Sequence, residues 1–450
     1  MKENFDEQIE KEAVFGILPV TKNKRQYGFL DRKEVYDTTP FDTKRTPPKQ
    51  NLFFMPFIWA ACWALTRSGK LKIHKENMKG LKPPYLVLGT HHAFMDFYVT
   101  PLALFPHRAN YVSELEGFEA YGEWLYRQAG CLGTRKFIND INLVKNIQRV
   151  MKRKGILVLY PEARYANVGT SSELPTSVGK LVKLLGVPLV TINMKGNYLQ
   201  SPIWNLTKRK GVKLDATLIQ VLTPEEVKNA SVEEINALVK QYLSYDEYEY
   251  QAKNNIKITY PERAKGLEMP LYQCPVCGVE FAMKGEGASL SCGSCKTVWE
   301  MDELGRLVSK DGNTDFSHIP NWYEWERSQV IKQIEEDKYV LNCKVRIEAL
   351  PNAKNFIPCG EGTLVHKKEG FYLTFKDYGD EEEKAMFFSS RSLFSIHTEY
   401  DYRSKYGQCV TLSTDTSTYF IYPLEAGFNP TKIQFATEHF YKITNKKEGL

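Results

Sequence analysis

The chain has 450 residues, 42% hydrophobic and 25% charged, which excludes a largely disordered protein and leaves room for about three domains. Lys+Arg 60 against Asp+Glu 54 leaves +6, which suits an anionic surface but is too small to argue for nucleic acid; a mean hydropathy of −0.41 excludes a polytopic membrane protein. The opening residues show no basic stretch followed by an apolar one, so no export signal is expected, and the 9 cysteines, four of them in two CxxC pairs, read as reduced and metal-binding in a cytoplasmic setting.

Residues 1–50 are polar and interrupted by Pro40, Pro47 and Pro48, and an extended N-terminal arm is expected there. Leu52–Leu65 (LFFMPFIWAACWAL) then carries no charge, while Lys44, Arg45 and Lys49 precede it and Arg67, Lys70, Lys72, Lys75, Lys79 and Lys82 follow. As a helix this segment rises about 21 Å, short of the roughly 30 Å hydrocarbon core, so it can dip into a bilayer without crossing it. The cationic flanks and the pair Trp59 and Trp63 predict an interfacial helix over 52–66 on anionic phospholipid; the competing expectation is a helix buried in the core.

From there strands alternate with helices. PYLVLGT (84–90), RANYVS (108–113), GILVLY (155–160), VPLVTINMKG (187–196) and LDATLIQVL (214–222) read as strands. Helices are expected from near His92, around Glu116–Gln128, after Asp140 as N-cap, over Ser177–Leu185, and after the caps Thr223 and Ser231. This is an α/β domain over 51–260. A short Cys- and Gly-rich module follows at 269–310, then a linker helix at 320–337. Residues 338–450 turn to short β-runs rich in aromatics and end in a helix opened by Asn429 and Pro430; that order suggests a β-rich domain of PH or GRAM type.

The chemistry gathers at strand ends. His91 and Asp96 follow the first apolar strand. On an ideal helix positions i and i+5 lie about 140° apart, so the two side chains meet only if His91 sits in the turn before a helix and Asp96 in its first turn. A carboxylate on one imidazole nitrogen would fix the tautomer and leave the other nitrogen as a general base. His92 is a second candidate base. Tyr160-Pro161-Glu162-Ala163-Arg164 closes another strand, Gly130–Lys136 (GCLGTRK) reads as a Gly-rich turn ending in the cations Arg135 and Lys136, and Pro188 opens a further strand.

In this order the elements resemble the lysophospholipid acyltransferase family, the 1-acyl-glycerol-3-phosphate acyltransferase-like enzymes, over roughly Leu52 to Gln251. The resemblance implies His91 as base and Asp96 as its orienting acid. It further implies Arg135 or Lys136 on an acceptor phosphate, and Glu162 and Arg164 in the third substrate-binding motif. That motif departs from the family's: Glu162 and Arg164 are two apart, where the family has three and a Gly between. The implied reaction moves a fatty acyl group from a thioester donor, acyl-CoA or acyl-carrier protein, to the hydroxyl of a lysophospholipid or glycerol-phosphate, on the cytoplasmic face of a membrane. A rival is a catalytically degenerate membrane scaffold.

Cys274, Cys277, Cys292 and Cys295 form two CxxC turns fourteen residues apart, the pattern of four thiolates around one tetrahedral ion. This resembles a zinc ribbon, with structural zinc expected and a rubredoxin-like iron site as the alternative. Within the ribbon, Gly278–Ser291 holds one Lys against two Glu, so no nucleic acid is expected as partner.

Overall fold

The computed structural model describes residues 36–310, 315–376, 382–401 and 406–446. Most of the expected N-terminal arm, 1–35, lies outside the described residues. Residues 36–50 hold no helix or strand and are pinned across two domains: the Phe41 N–H donates to the Pro351 carbonyl, the Asn352 amide donates to the Asp37 and Thr39 carbonyls, and Arg153 donates to the carbonyls of Pro47 and Pro48.

The α/β domain is built on seven strands, β1 (Lys72–Glu76), β2 (Tyr85–Gly89), β3 (Asn110–Glu114), β4 (Cys131–Thr134), β5 (Ile156–Leu159), β6 (Leu189–Lys195) and β7 (Asp215–Leu222), in the order β1-β7-β6-β2-β5-β3-β4. β6, β2, β5, β3 and β4 run parallel, whereas β7 is antiparallel to β6 and parallel to β1. Tyr85 and Val87 enter one apolar core and Leu86 and Leu88 the other, so β2 is covered on both faces and reads as an unbroken apolar run. The expected Gly-rich turn is instead strand β4, where a Cβ on Gly133 would meet the ring of Phe41, and β1 (KIHKE) is a strand that its polar sequence hid. Asp140 caps its helix through the Leu143 N–H, and Thr223 and Ser231 each close a reciprocal capping box.

β8 (Met283–Glu286), β9 (Ser289–Cys292), β10 (Val298–Met301) and β11 (Leu307–Ser309) form a small antiparallel sheet that carries the four cysteines. It does not stand apart. Cys274, Leu290, Cys292, Trp299 and Leu307 share one continuous core with Ala166, Tyr198 and Tyr248 of the α/β domain, Trp322 and Tyr323 of the helix Ile319–Glu335, and Phe435 and Phe440 near the C-terminus.

The C-terminal sheet comprises β12 (Leu341–Leu350), β13 (Ile357–Lys367), β14 (Gly370–Lys376), β15 (Glu383–Ser389), β16 (His397–Glu399), β17 (Cys409–Ser413) and β18 (Thr418–Pro423), ordered β15-β14-β13-β12-β18-β17-β16 and antiparallel throughout, followed by the helix Pro430–Lys446. Two of the β-runs read from sequence as single units each split into two strands here.

The uncharged segment forms the helix Met55–Thr66, and it is not a core helix. Met55, Cys62 and Thr66 are buried, while Leu52 (67%), Phe53 (70%), Phe57 (63%) and Trp63 (60%) stand exposed. Exposed Phe105 and Trp124 extend this apolar face through ring contacts with Trp59 and Phe54. Among the described residues no helix is long and apolar enough to cross a membrane.

Candidate active site

Strand β2 ends at Gly89, and the chain turns through Thr90, His91 and His92 into the helix Asp96–Leu104. His91 therefore lies in the turn and Asp96 opens the helix, the arrangement in which an i, i+5 pair can touch. His91 Nδ1 is 3.2 Å from Asp96 Oδ2. The same oxygen accepts the N–H groups of His92 (2.6 Å) and Ala93 (3.1 Å), while Asp96 Oδ1 accepts from Asn197 Nδ2 at 2.6 Å. Asp96 is fully buried and the His91 side chain is 18% exposed, so the carboxylate is fixed and the imidazole reaches solvent. With Nδ1–H directed at Asp96, Nε2 is the free basic nitrogen.

Tyr160 and Tyr165 bracket the imidazole, the first stacked at 4.6 Å and 13°, the second tilted at 4.5 Å. A Cβ on Gly89 would stand 2.7 Å from the Tyr160 ring, so a side chain there would displace the stack. The Tyr160 hydroxyl is tied to Thr100 at 2.7 Å. Tyr160 is named in the sequence only as the residue that closes a strand, and neither Tyr165 nor Asn197 stands out there, because each contact joins residues far apart along the chain.

Glu162 is a brace. Its carboxylate accepts the His91 N–H (3.0 Å), the Ser172 N–H (2.8 Å) and the Tyr245 hydroxyl (3.1 Å). Burial raises its pKa and those bonds oppose the rise. Ala163 beside it has φ +55°, in the left-handed region that favours glycine. His92 is fully buried, stacks on Tyr245 at 3.7 Å, and is pushed down to about 4 by burial; a neutral, enclosed ring cannot serve as the substituting base.

The cations expected on a phosphate are otherwise engaged. Arg135, 4% exposed, donates to the carbonyls of Pro351 (2.6 Å), Thr416 (2.9 Å) and Asp415 (3.1 Å), all in the C-terminal domain. Lys136 pairs with Glu114 and lies 3.0 Å from His397 Nε2. Arg164, 3% exposed, donates to Ser395 Oγ and to Glu438 Oε1 (2.8 Å), and Glu438 also pairs with Arg327. Burial alone would raise Glu438, but Arg164 and Arg327 hold it at about 2. Replacing Arg164 with Met should therefore destabilise the chain by about 3 kcal/mol in chemical denaturation, since breaking a buried pair leaves an under-compensated charge. The contribution of Glu438 is present above its unfolded value near 4.5 and is lost as pH falls through about 2, so the difference between Arg164→Met and the parent should shrink on acidification.

At the metal module, Cys274, Cys277, Cys292 and Cys295 bring their sulfurs within 4.8 Å of one another, with Cys274–Cys295 at 3.6 Å and Cys277–Cys292 at 3.8 Å. Zinc–sulfur bonds of about 2.3 Å require tetrahedral edges of about 3.8 Å, so the four thiols fit such an ion. Four protein ligands close the shell, and a metal there would hold structure.

A family model described as Acyltransferase matches residues 70–195, the stretch that carries His91, Asp96, Arg135, Lys136, Glu162 and Arg164. Acyl transfer is the general function this stretch supports. Among solved structures, the chain is similar to the 1-acyl-sn-glycerophosphate (LPA) acyltransferase PlsC from Thermotoga maritima, with 14% identity, 42% of this chain and 77% of that one covered, and a TM-score of 0.36. Among curated proteins nothing matches.

Proposed function

We propose that the chain transfers a fatty acyl group from a thioester donor, acyl-CoA or acyl-carrier protein, to a hydroxyl of a lysophospholipid-type acceptor. The observation that carries this reading is the His91–Asp96 pair, buried at the carboxylate and open at the imidazole. His91 Nε2 takes the proton of the acceptor hydroxyl as its oxygen bonds to the acyl carbon. The C–S bond then breaks and the thiolate receives the proton, giving ester and free thiol. Asp96 acts through His91 as a positioning residue, and Glu162 holds the backbone that presents the ring. Release of free thiol from palmitoyl-CoA, dependent on added lysolipid, tests the reaction. The engagement of Arg135 and Arg164 favours a second reading, a non-catalytic scaffold, which predicts no thiol release with any acceptor.

The exposed face of the helix Met55–Thr66 supports a site on the membrane surface. Lys75 donates to the Phe105 carbonyl and Lys208 to the Leu65 carbonyl, so both ammonium groups rim that face. Each such cation adds about 1 kcal/mol on anionic lipid, fading within a Debye length. Charge reversal of Lys70, Lys75 and Lys208 to Glu should weaken sedimentation with phosphatidylglycerol vesicles at moderate salt by at least about tenfold, with phosphatidylcholine vesicles unaffected. Equal binding of the folded variant and the parent to both vesicles would remove the electrostatic anchor. The seven-stranded order with a closing helix also supports a PH- or GRAM-type C-terminal domain, and zinc is the metal proposed for the four cysteines.

A further inference from the structure

We propose that Arg209 and Arg263 hold a phosphate ester, supplied either by the nucleotide end of a CoA thioester or by a phospholipid headgroup. The CoA source rests on the acyl-transfer reading; the phosphate site does not. β2 and β6 are parallel neighbours with Gly89 beside Ile192, so the chain leaving β6 at Lys195 starts at the same end of the sheet as His91. Asn197 at once reaches Asp96 Oδ1. One short helix on, the Gln200 carbonyl accepts the Arg209 N–H at 2.8 Å. On the other side, Lys208 donates to the Leu65 carbonyl in the last turn of the helix Met55–Thr66. Arg209 is thus anchored between the acyl-transfer site and the exposed apolar face.

Arg209 is 2% exposed, yet among the described residues no carboxylate pairs with it. Its Nη2 donates to the Arg263 carbonyl at 3.2 Å and its buried Nε has no partner. Nη1, which keeps contact with solvent, has none among the described residues either. Burial acts most strongly against its charge and Arg263 adds to that, while the groups acting for it are Tyr248, Tyr198 and Tyr260, not carboxylates. A guanidinium keeps its proton in proteins, so a buried one needs its charge compensated, and here the fold supplies no anion. The surroundings are cationic instead. Residues 205–213 hold four cations and no carboxylate, and 257–266, packed against them through Asn205, hold three cations against one Glu. Arg263 likewise spends its bonds on carbonyls, those of Met301 (2.7 Å) and Tyr260 (3.4 Å). Trp204 braces the pair: its ring lies 5.2 Å from the Arg209 guanidinium carbon, and its Nε1–H donates to the Tyr198 hydroxyl at 2.9 Å. Two adjacent guanidiniums with donors left over and no anion are what the oxygens of a phosphate satisfy. A CoA thioester carries its phosphates at the far end of a long arm from the reacting sulfur, so a site one short helix from the Asp96 contact suits it. A lipid lying on the apolar face would bring its phosphate to the same rim.

The full chain would be titrated with CoA, with dihexanoylphosphatidylglycerol and with pantetheine, reading the melting temperature and, by calorimetry, the dissociation constant. The melting temperature should rise with CoA or with the lipid, and not with pantetheine, which has the arm but no phosphate. A rise with CoA marks the nucleotide as the source; a rise with the lipid alone marks the headgroup. Arg209→Met keeps a stem on Trp204 and removes the charge. Without ligand it should melt no lower than the parent, and its affinity for the effective ligand should fall at least about tenfold. A guanidinium held only for structure would lower the melting temperature and leave the affinity at the parent's, and that result overturns the site. Arg263→Gln, at a less buried position, should weaken the same ligand at least about fivefold and decides the matter if Arg209→Met does not fold; parental affinity there overturns the site. So does a parent that responds to neither CoA nor the lipid, or to pantetheine as strongly as to CoA. Absence of thiol release beside intact, arginine-dependent binding would sink the transfer reading and leave the phosphate site standing.

Discussion

His91→Ala should lower the rate of acyl transfer by about 10²–10⁴-fold, the usual contribution of a positioned general base. The variant should keep its fold, because the imidazole is held by one carboxylate and two aromatic faces and is partly open to solvent. Thiol release from palmitoyl-CoA and circular dichroism on the same sample check both halves. His92 cannot compensate from its enclosed position. Asp96→Asn is the informative companion. One Asp96 oxygen serves His91, His92 and Ala93 and the other accepts from the Asn197 amide, so Asn removes the charge behind His91 and sets its amide against a donor at one of the two places, and kcat should fall with little change in KM. Full activity in His91→Ala would discard the mechanism.

Removing the metal should have the second large effect. One ion per chain is expected by elemental analysis of reduced protein, colourless if zinc and absorbing in the visible if iron. Structural zinc supplies roughly 10–16 kcal/mol of apparent binding energy in small modules. Cys274 and Cys292 sit in the core shared with Tyr198 and Tyr248, so chelation, or Cys274→Ser with Cys292→Ser, should lower the melting temperature of the whole chain. Acyl transfer should fall with it, although no cysteine of the site touches His91. An unchanged melting curve on metal removal would show that the four thiols need no ion.

Local pattern carried the α/β elements into legibility. Asp140, Thr223 and Ser231 cap helices because capping needs only neighbours along the chain, and β2 reads as buried because both its faces are covered. The His91–Asp96 contact was legible as a spacing with a geometric condition, and the turn after β2 meets that condition. Strand β1 was hidden by its alternation of Lys, His and Glu at a sheet edge, where pairing with β7 decides and side-chain burial does not. β4 was hidden because Gly133, which marks a turn in isolation, is there to admit Phe41 from the N-terminal segment. The fates of Arg135 and Arg164 could not be read at all: their partners lie more than 200 residues onward, in a domain whose docking leaves no local periodicity. The same distance hid the shared core and made the cysteine module look detachable.

That shared core sets the timetable of synthesis. Ala166 and Tyr198 leave the ribosome long before Phe435 and Phe440, which close the core around them. At about 5–20 residues per second, roughly 240 intervening residues take on the order of 12–48 s to appear. For that interval the loop after β5 lacks its cover, with Arg164 awaiting Glu438. A nascent chain stalled near residue 260 would thus expose an apolar flank beside the loop after β5, an attractive target for chaperones and proteases. The C-terminal helix Pro430–Lys446 brings Phe435, Glu438 and Phe440 to that flank and seals the fold.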